Sequence, residues 1–139
     1  MSQRQAPFNV AVGDTLPVLE LPAINRTTLA LFAGASGDHN QIHIDTDYAR
    51  KAGMVDVFAH GMLSMAYLGR LLTNWAPQNS LRNLSARFVG ITHLGDQPVC
   101  SGKVVEKFER DGERLIKVEI QAVDQYGAVK IVGDALIAF

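Results

Sequence analysis

Between residues 59 and 75, apolar side chains recur at Met62, Leu63, Met65, Ala66, Leu68, Leu71, Leu72 and Trp75. On a helix these positions cover nearly the whole circumference, the pattern of a helix buried on most sides. Such a helix must be wrapped by whatever follows it. Pro77 stops it. His60, Arg70 and Asn74 interrupt the stretch, and a membrane span needs ~20 predominantly apolar residues, so it reads as a core helix.

Beyond Pro77 the period changes from helical to alternating. Residues 84–91 alternate loosely, and 99–108 carry Val104 and Val105. Residues 114–123 alternate well, with Leu115, Lys117 and Glu119 set against Ile116, Val118 and Ile120. Asp111-Gly112 and Tyr126-Gly127 mark turns between strands. A final strand over 128–139 closes the chain. The expected class is α+β, an antiparallel sheet wrapped around the long helix, with edge strands left for another subunit to pair.

The first half reads as a tail over 1–12, a short extended piece over 15–21, and a short helix through Leu29, Phe32 and Ala33. Thr27 or Thr28 is its expected cap. That helix runs out at Gly34-Ala35-Ser36-Gly37, and Asp45-Thr46-Asp47 opens a second one over 48–52. At 139 residues the chain is expected to form one domain over 1–139. A net charge of −1 without a basic block argues against nucleic acid and anionic membranes as partners. The lone Cys100 fits a reducing compartment, and Met1 to Pro7 show no apolar signal core, so cytoplasm is the expected location.

The chemistry concentrates in Ser36-Gly37-Asp38-His39-Asn40-Gln41-Ile42-His43 and in Ala59-His60-Gly61-Met62-Leu63. Asp38 and His43 place a carboxylate and an imidazole within reach of one water, able to activate it and return a proton. The blander alternative makes Asp38 a turn cap and His43 a partly buried polar residue. Gly61 heads the long helix, where an N–H on the positive end of the dipole can receive developing negative charge. The blander alternative there is a glycine chosen for a tight start, after a capping His60. Ser64, on the first turn of the helix, can hydrogen-bond within a pocket or back to its own helix.

His39 and His43 have the four-residue spacing of zinc ligands, with Asp38, Asp45 and Asp47 nearby. The segment reads as a turn rather than a helix, so no metal is expected, and Asp45 and Asp47 read as first-turn residues of the second helix. Cys100 lies in a strand with no activating neighbour, and no serine stands in a Gly-x-Ser-x-Gly elbow.

Taken together, the run from Phe32 to Asp45 and the run Ala59-His60-Gly61-Met62-Leu63 resemble the MaoC-like dehydratases, a family that includes the (R)-specific enoyl-CoA hydratases. The family pattern is Ser-Gly-Asp-x-Asn-Pro-x-His-x-Asp followed by Ala-His-Gly-Met. The resemblance is strong over 29–75 and weaker through Arg87-Phe88 and Gly95-Asp96. It implies a hot-dog fold and a homodimer, with a higher oligomer or a heteromer as variants. It also implies an acyl-CoA or acyl-carrier-protein thioester substrate and no cofactor. Asp38 and His43 match the catalytic pair, Gly61 the oxyanion donor, and Asn40, His60 and Ser64 are expected around the substrate. The one departure is Gln41 where the family has proline, which removes a φ restraint but no catalytic atom. Two competitors stay open: a hot-dog thioesterase, and a non-catalytic subunit of a heteromeric hydratase.

Overall fold

The computed structural model describes residues 9–139. Most of the expected tail, residues 1–8, lies outside them. From there the chain is already packed, since Val10 is buried and its carbonyl accepts a bond from Lys107 Nζ at 2.8 Å.

Helix α1 spans Arg26–Ser36 and α2 spans Thr46–Lys51. A 3₁₀ turn over Gln41–His43 separates them. The cap of α1 is Asn25, whose side chain accepts from the Thr28 N–H at 2.8 Å, rather than Thr27 or Thr28. Thr28 instead donates its own hydroxyl to Asn25 Oδ1. Asparagine ranks above threonine as an N-cap, and starting the helix earlier leaves both threonines inside its first turn. Gly34 and Ala35 continue α1, and it ends at Gly37, which takes the left-handed conformation (φ 76°) that glycine adopts without strain. Asp45 caps α2 by accepting from the Asp47 and Tyr48 N–H groups.

Helix α3 spans Gly61–Trp75. Leu63, Leu68, Leu71, Leu72 and Trp75 are buried, but Met62, Ala66, Arg70 and Asn74 form one exposed stripe at four-residue spacing. The expectation of burial nearly all round is therefore corrected: the sheet covers most of the helix and leaves one flank open.

Five strands, β1 (Leu19–Glu20), β2 (Leu81–Phe88), β3 (Val99–Arg110), β4 (Glu113–Val123) and β5 (Val129–Ala138), form one antiparallel sheet in the order β1-β3-β4-β5-β2. Asp111 and Gly112, both at positive φ, make the β3–β4 hairpin turn. Register shifts at Leu81/Asn83, Val104/Glu106 and Ala122/Val123 bend the strands, and bulges of this kind give a sheet its curl. The second strand lies three residues earlier than its alternation suggested. After Phe88 the chain leaves the sheet, with Val89 and Gly90 both donating to the Lys130 carbonyl.

The inner face of the sheet presents Cys100, Val104, Ile116, Val118, Ile120, Ala122, Ile131, Ala135 and Ile137 to Leu68, Leu71, Leu72 and Trp75 of α3. Truncating a leucine so placed to alanine typically costs about 2–5 kcal/mol. A second cluster of Ile24, Leu29, Ala49, Val57, Ala59 and Leu63 seats α1, α2 and the preceding loop on the start of α3. That smaller core fixes the Asp38–His43 loop against the N-terminus of the long helix. The result is the hot-dog arrangement, a curled sheet closed around a central helix. No helix among the described residues is long and apolar enough to cross a membrane.

Candidate active site

The loop from Ser36 to His43 is a chain of short side-chain turns. Ser36 Oγ accepts from the Asp38 N–H, Asp38 Oδ1 from the Asn40 N–H, and Asn40 Oδ1 from the Ile42 N–H, each at 3.2 Å. Asp38 thus does cap its turn, as the blander reading held, but through one oxygen only. The carboxylate as a whole stays exposed. Asn40 caps the 3₁₀ turn that carries His43, which is how it orients the loop.

His43 is buried to 8% exposure. Its Nδ1 lies 2.7 Å from the Phe58 carbonyl oxygen. A carbonyl can only accept, so Nδ1 carries the hydrogen, and in the neutral ring Nε2 holds a free lone pair. Phe58 is anchored in turn by a β-bridge to His93, and the neighbouring Ala59 N–H donates to the Thr92 carbonyl at 2.9 Å.

His60, expected around the substrate, is 1% exposed, and its Nε2 lies 3.1 Å from the Asp38 carbonyl oxygen, to which it donates. Its ring stacks on that of His43 with centroids 4.0 Å apart and planes 28° from parallel, and Phe32 meets it edge-on at 4.9 Å. Burial pushes its pKa below the ordinary histidine value. The bond to the Asp38 carbonyl works against that shift, while neighbouring His43 reinforces it. His60 gives α3 no side-chain cap.

One side-chain donor atom each of Asp38, His43 and His60 lies within 4.8 Å of the others. His39 is not in this group, so the His39–His43 pairing considered from spacing is not the one the fold makes. Nitrogen and carboxylate atoms at this spacing are of the kind a divalent cation binds, and equally of the kind that share one water.

Gly61 is the first residue of α3, where backbone N–H groups have no intrahelical acceptor. A Cβ built there would meet Phe88 Cε1 at 3.1 Å and Cδ1 at 3.2 Å. A side chain there would have to push the Phe88 ring aside by a few tenths of an ångström, so glycine gives the ring its closest seat on the helix start. Ser64 is buried, its Oγ 3.4 Å from the hydroxyl of buried Thr92 rather than bonded back to its helix. Cys100 is fully buried in β3, and burial pushes its thiol up to about 11, which removes it as a nucleophile.

Four participants escaped the sequence reading: Phe58, Thr92, Phe32 and Phe88. Phe58 acts through its carbonyl, which leaves no residue-type signal. Thr92 and Phe88 reach the site only because the chain crosses from the end of β2 to the loop before α3. A hollow of about 730 Å³ lies elsewhere, on the sheet face away from α3, among Ser85, Arg87, Lys103, Glu119 and Asp134. None of the candidate residues lines it.

Residues 8–125 match the family model described as MaoC like domain. The chain is 33% identical over 75 residues to the (R)-specific enoyl-CoA hydratase of Rhodospirillum rubrum, a match covering 52% of each protein. It is 28% identical over 118 residues to the fatty acid synthase subunit beta of Saccharomyces cerevisiae, covering 75% of this chain and only 6% of that much longer one. Among solved structures, the unliganded R-hydratase PhaJ1 of Pseudomonas aeruginosa superposes with a TM-score of 0.81 at 27% identity, covering 94% of this chain and 83% of that one.

Proposed function

Since the chain belongs to the MaoC-like domain family, we propose that it is an (R)-specific hydratase/dehydratase that adds water to trans-2-enoyl thioesters, of CoA or of an acyl carrier protein. The observation that carries this reading is the approach of Asp38 and His43 side-chain atoms to within 4.8 Å of each other, beside the first N–H groups of α3. One water can bridge groups at that separation.

In the hydration direction, His43 Nε2 takes a proton from water as the water oxygen bonds to C3. The C2=C3 pair moves toward the thioester carbonyl, whose growing negative charge is met by the Gly61 N–H at the positive end of α3. Asp38 holds the second hydrogen of the water through its free oxygen and so aims the lone pair. The proton then passes from the His43 imidazolium to C2, giving a 3-hydroxyacyl thioester and restoring the neutral ring. The Phe58 carbonyl favours His43 as the base, because it fixes the tautomer that leaves Nε2 available. Asn40 holds the loop, and Ser64 with Thr92 supplies hydroxyls beside the first turn of α3.

The same reading includes a homodimer. In one chain the site lies on an open flank. Met62 and Phe88 are exposed beside Gly61, Val89 and Ile91 are exposed in the segment that follows Phe88, and β2 is an edge strand of the sheet among the described residues. A second copy pairing along that edge would cover those side chains and wall the site.

Incubation with crotonyl-CoA tests the function. Loss of enoyl absorbance without release of thiol is the expected result. Release of free CoA would make the protein a thioesterase, and inertness until a partner chain is added would make it the non-catalytic half of a heteromer.

A further inference from the structure

His60 is a buried polar group at the site that the hydration scheme leaves unused. Its Nε2–H is committed to the Asp38 carbonyl, and its other ring nitrogen, Nδ1, is buried with no hydrogen-bond partner among the described residues. A doubly protonated ring would carry a second N–H that is buried and aimed at nothing. The geometry therefore holds His60 neutral. Its one face lies flat against the His43 ring at 4.0 Å, and the edge contact with Phe32 stops it from swinging away.

We propose that His60 is a positioning residue with two duties. It ties the Asp38 backbone to the start of α3, and it offers an uncharged ring face on which the His43 imidazolium forms during proton transfer. Both duties act through other residues, and both rest on the hydration reading above. The two halves of the acid–base pair are thereby set by one side chain: Asp38 through its carbonyl, His43 through its ring plane. A cation over a neutral aromatic face is stabilised electrostatically, whereas a charged His60 would repel it. The groups facing this pair are the Asp38 carboxylate from the turn, Phe32 from α1 and Phe58 from the loop before α3. Only the first of these titrates.

Two substitutions separate the duties. His60→Gln keeps a donor for the Asp38 carbonyl and removes the ring face. His60→Phe keeps the face and removes the donor. With Tm confirming that each variant folds, both should lower kcat by about tenfold to a hundredfold, the scale of a misplaced catalytic group, while KM changes far less. The acid limb of the kcat/KM profile should move to lower pH by about half a unit in His60→Gln and stay in place in His60→Phe.

Ring ¹⁵N spectra of histidine-labelled protein give a readout without substrate. They should show His60 as the neutral Nε2–H tautomer across the neutral range, and displaced His43 ring signals in His60→Gln relative to wild type, since the stacked ring is gone. Folded variants with wild-type kcat overturn the proposal. So does an equal loss in both variants with an unmoved acid limb, which would make His60 merely structural. If wild-type protein hydrates no enoyl thioester, the hydration reading fails, and the ¹⁵N spectra still decide whether His60 sets the His43 ring: unchanged His43 signals in His60→Gln overturn it.

Discussion

His43 donates from Nδ1 to the carbonyl oxygen of Phe58 at 2.7 Å. That bond joins the acid–base loop to the segment leading into α3, and it determines which nitrogen is free for chemistry. A histidine held by a backbone carbonyl cannot lose its partner by any side-chain substitution at Phe58. The tautomer is thus a property of the fold more than of the neighbouring side chain.

The acid–base pair is tested by removing each member's proton chemistry at nearly constant shape. Asp38→Asn and His43→Gln should each lower kcat by about 10²-fold or more, with the circular dichroism spectrum unchanged. Near-normal turnover in both would end the assignment.

Gly61→Ala brings a Cβ to 3.1 Å from the Phe88 ring. Phe88 is half exposed and can swing aside, so the stability loss should sit at the low end of overpacking, about 1 kcal/mol, together with a fall in kcat as the ring moves beside the oxyanion position. In a Phe88→Ala background the same substitution should lose less stability. A double-mutant cycle in urea reads the difference, and equal costs in both backgrounds would exclude the contact as the reason for glycine.

The Arg26–Asp56 pair knits three segments around the loop. Asp56 accepts from Arg26 at the start of α1, from the Thr46 hydroxyl at the start of α2 and from the Val57 N–H before α3. The Arg26 guanidinium, then Thr46 and Val57, hold its carboxyl well below the usual carboxylate range. A carboxyl depressed in the folded state contributes stability above its unfolded pKa of about 3.9 and loses it as pH falls toward the folded value. Tm should therefore drop on acidification below about pH 4. Asp56→Asn should lower Tm at neutral pH and flatten the acid dependence.

Hydration by a carboxylate and an imidazole needs no metal. Treatment with a chelator should leave turnover unchanged, and His39→Ala, at an exposed position outside the cluster, should be tolerated. Activity lost to chelation and restored by zinc would mean that Asp38, His43 and His60 hold an ion.

The sequence by itself determined the long helix, the strands that follow it, and the two motifs. These signals are local: periodicity of 3.6 against 2, a proline stop, and polar residues at fixed offsets. It misplaced what depends on competition between neighbours, such as Asn25 over the two threonines as the cap of α1, and the early exit of β2 after Phe88. It treated α3 as covered all round because a helical pattern cannot say that the sheet leaves the Met62, Ala66, Arg70 and Asn74 stripe open. Only the tertiary structure decided what His60 touches, since Asp38 and His43 come to it from another segment across the second core cluster. The tautomer of His43 was equally invisible beforehand, because the atom that sets it is a main-chain oxygen, and every residue has one.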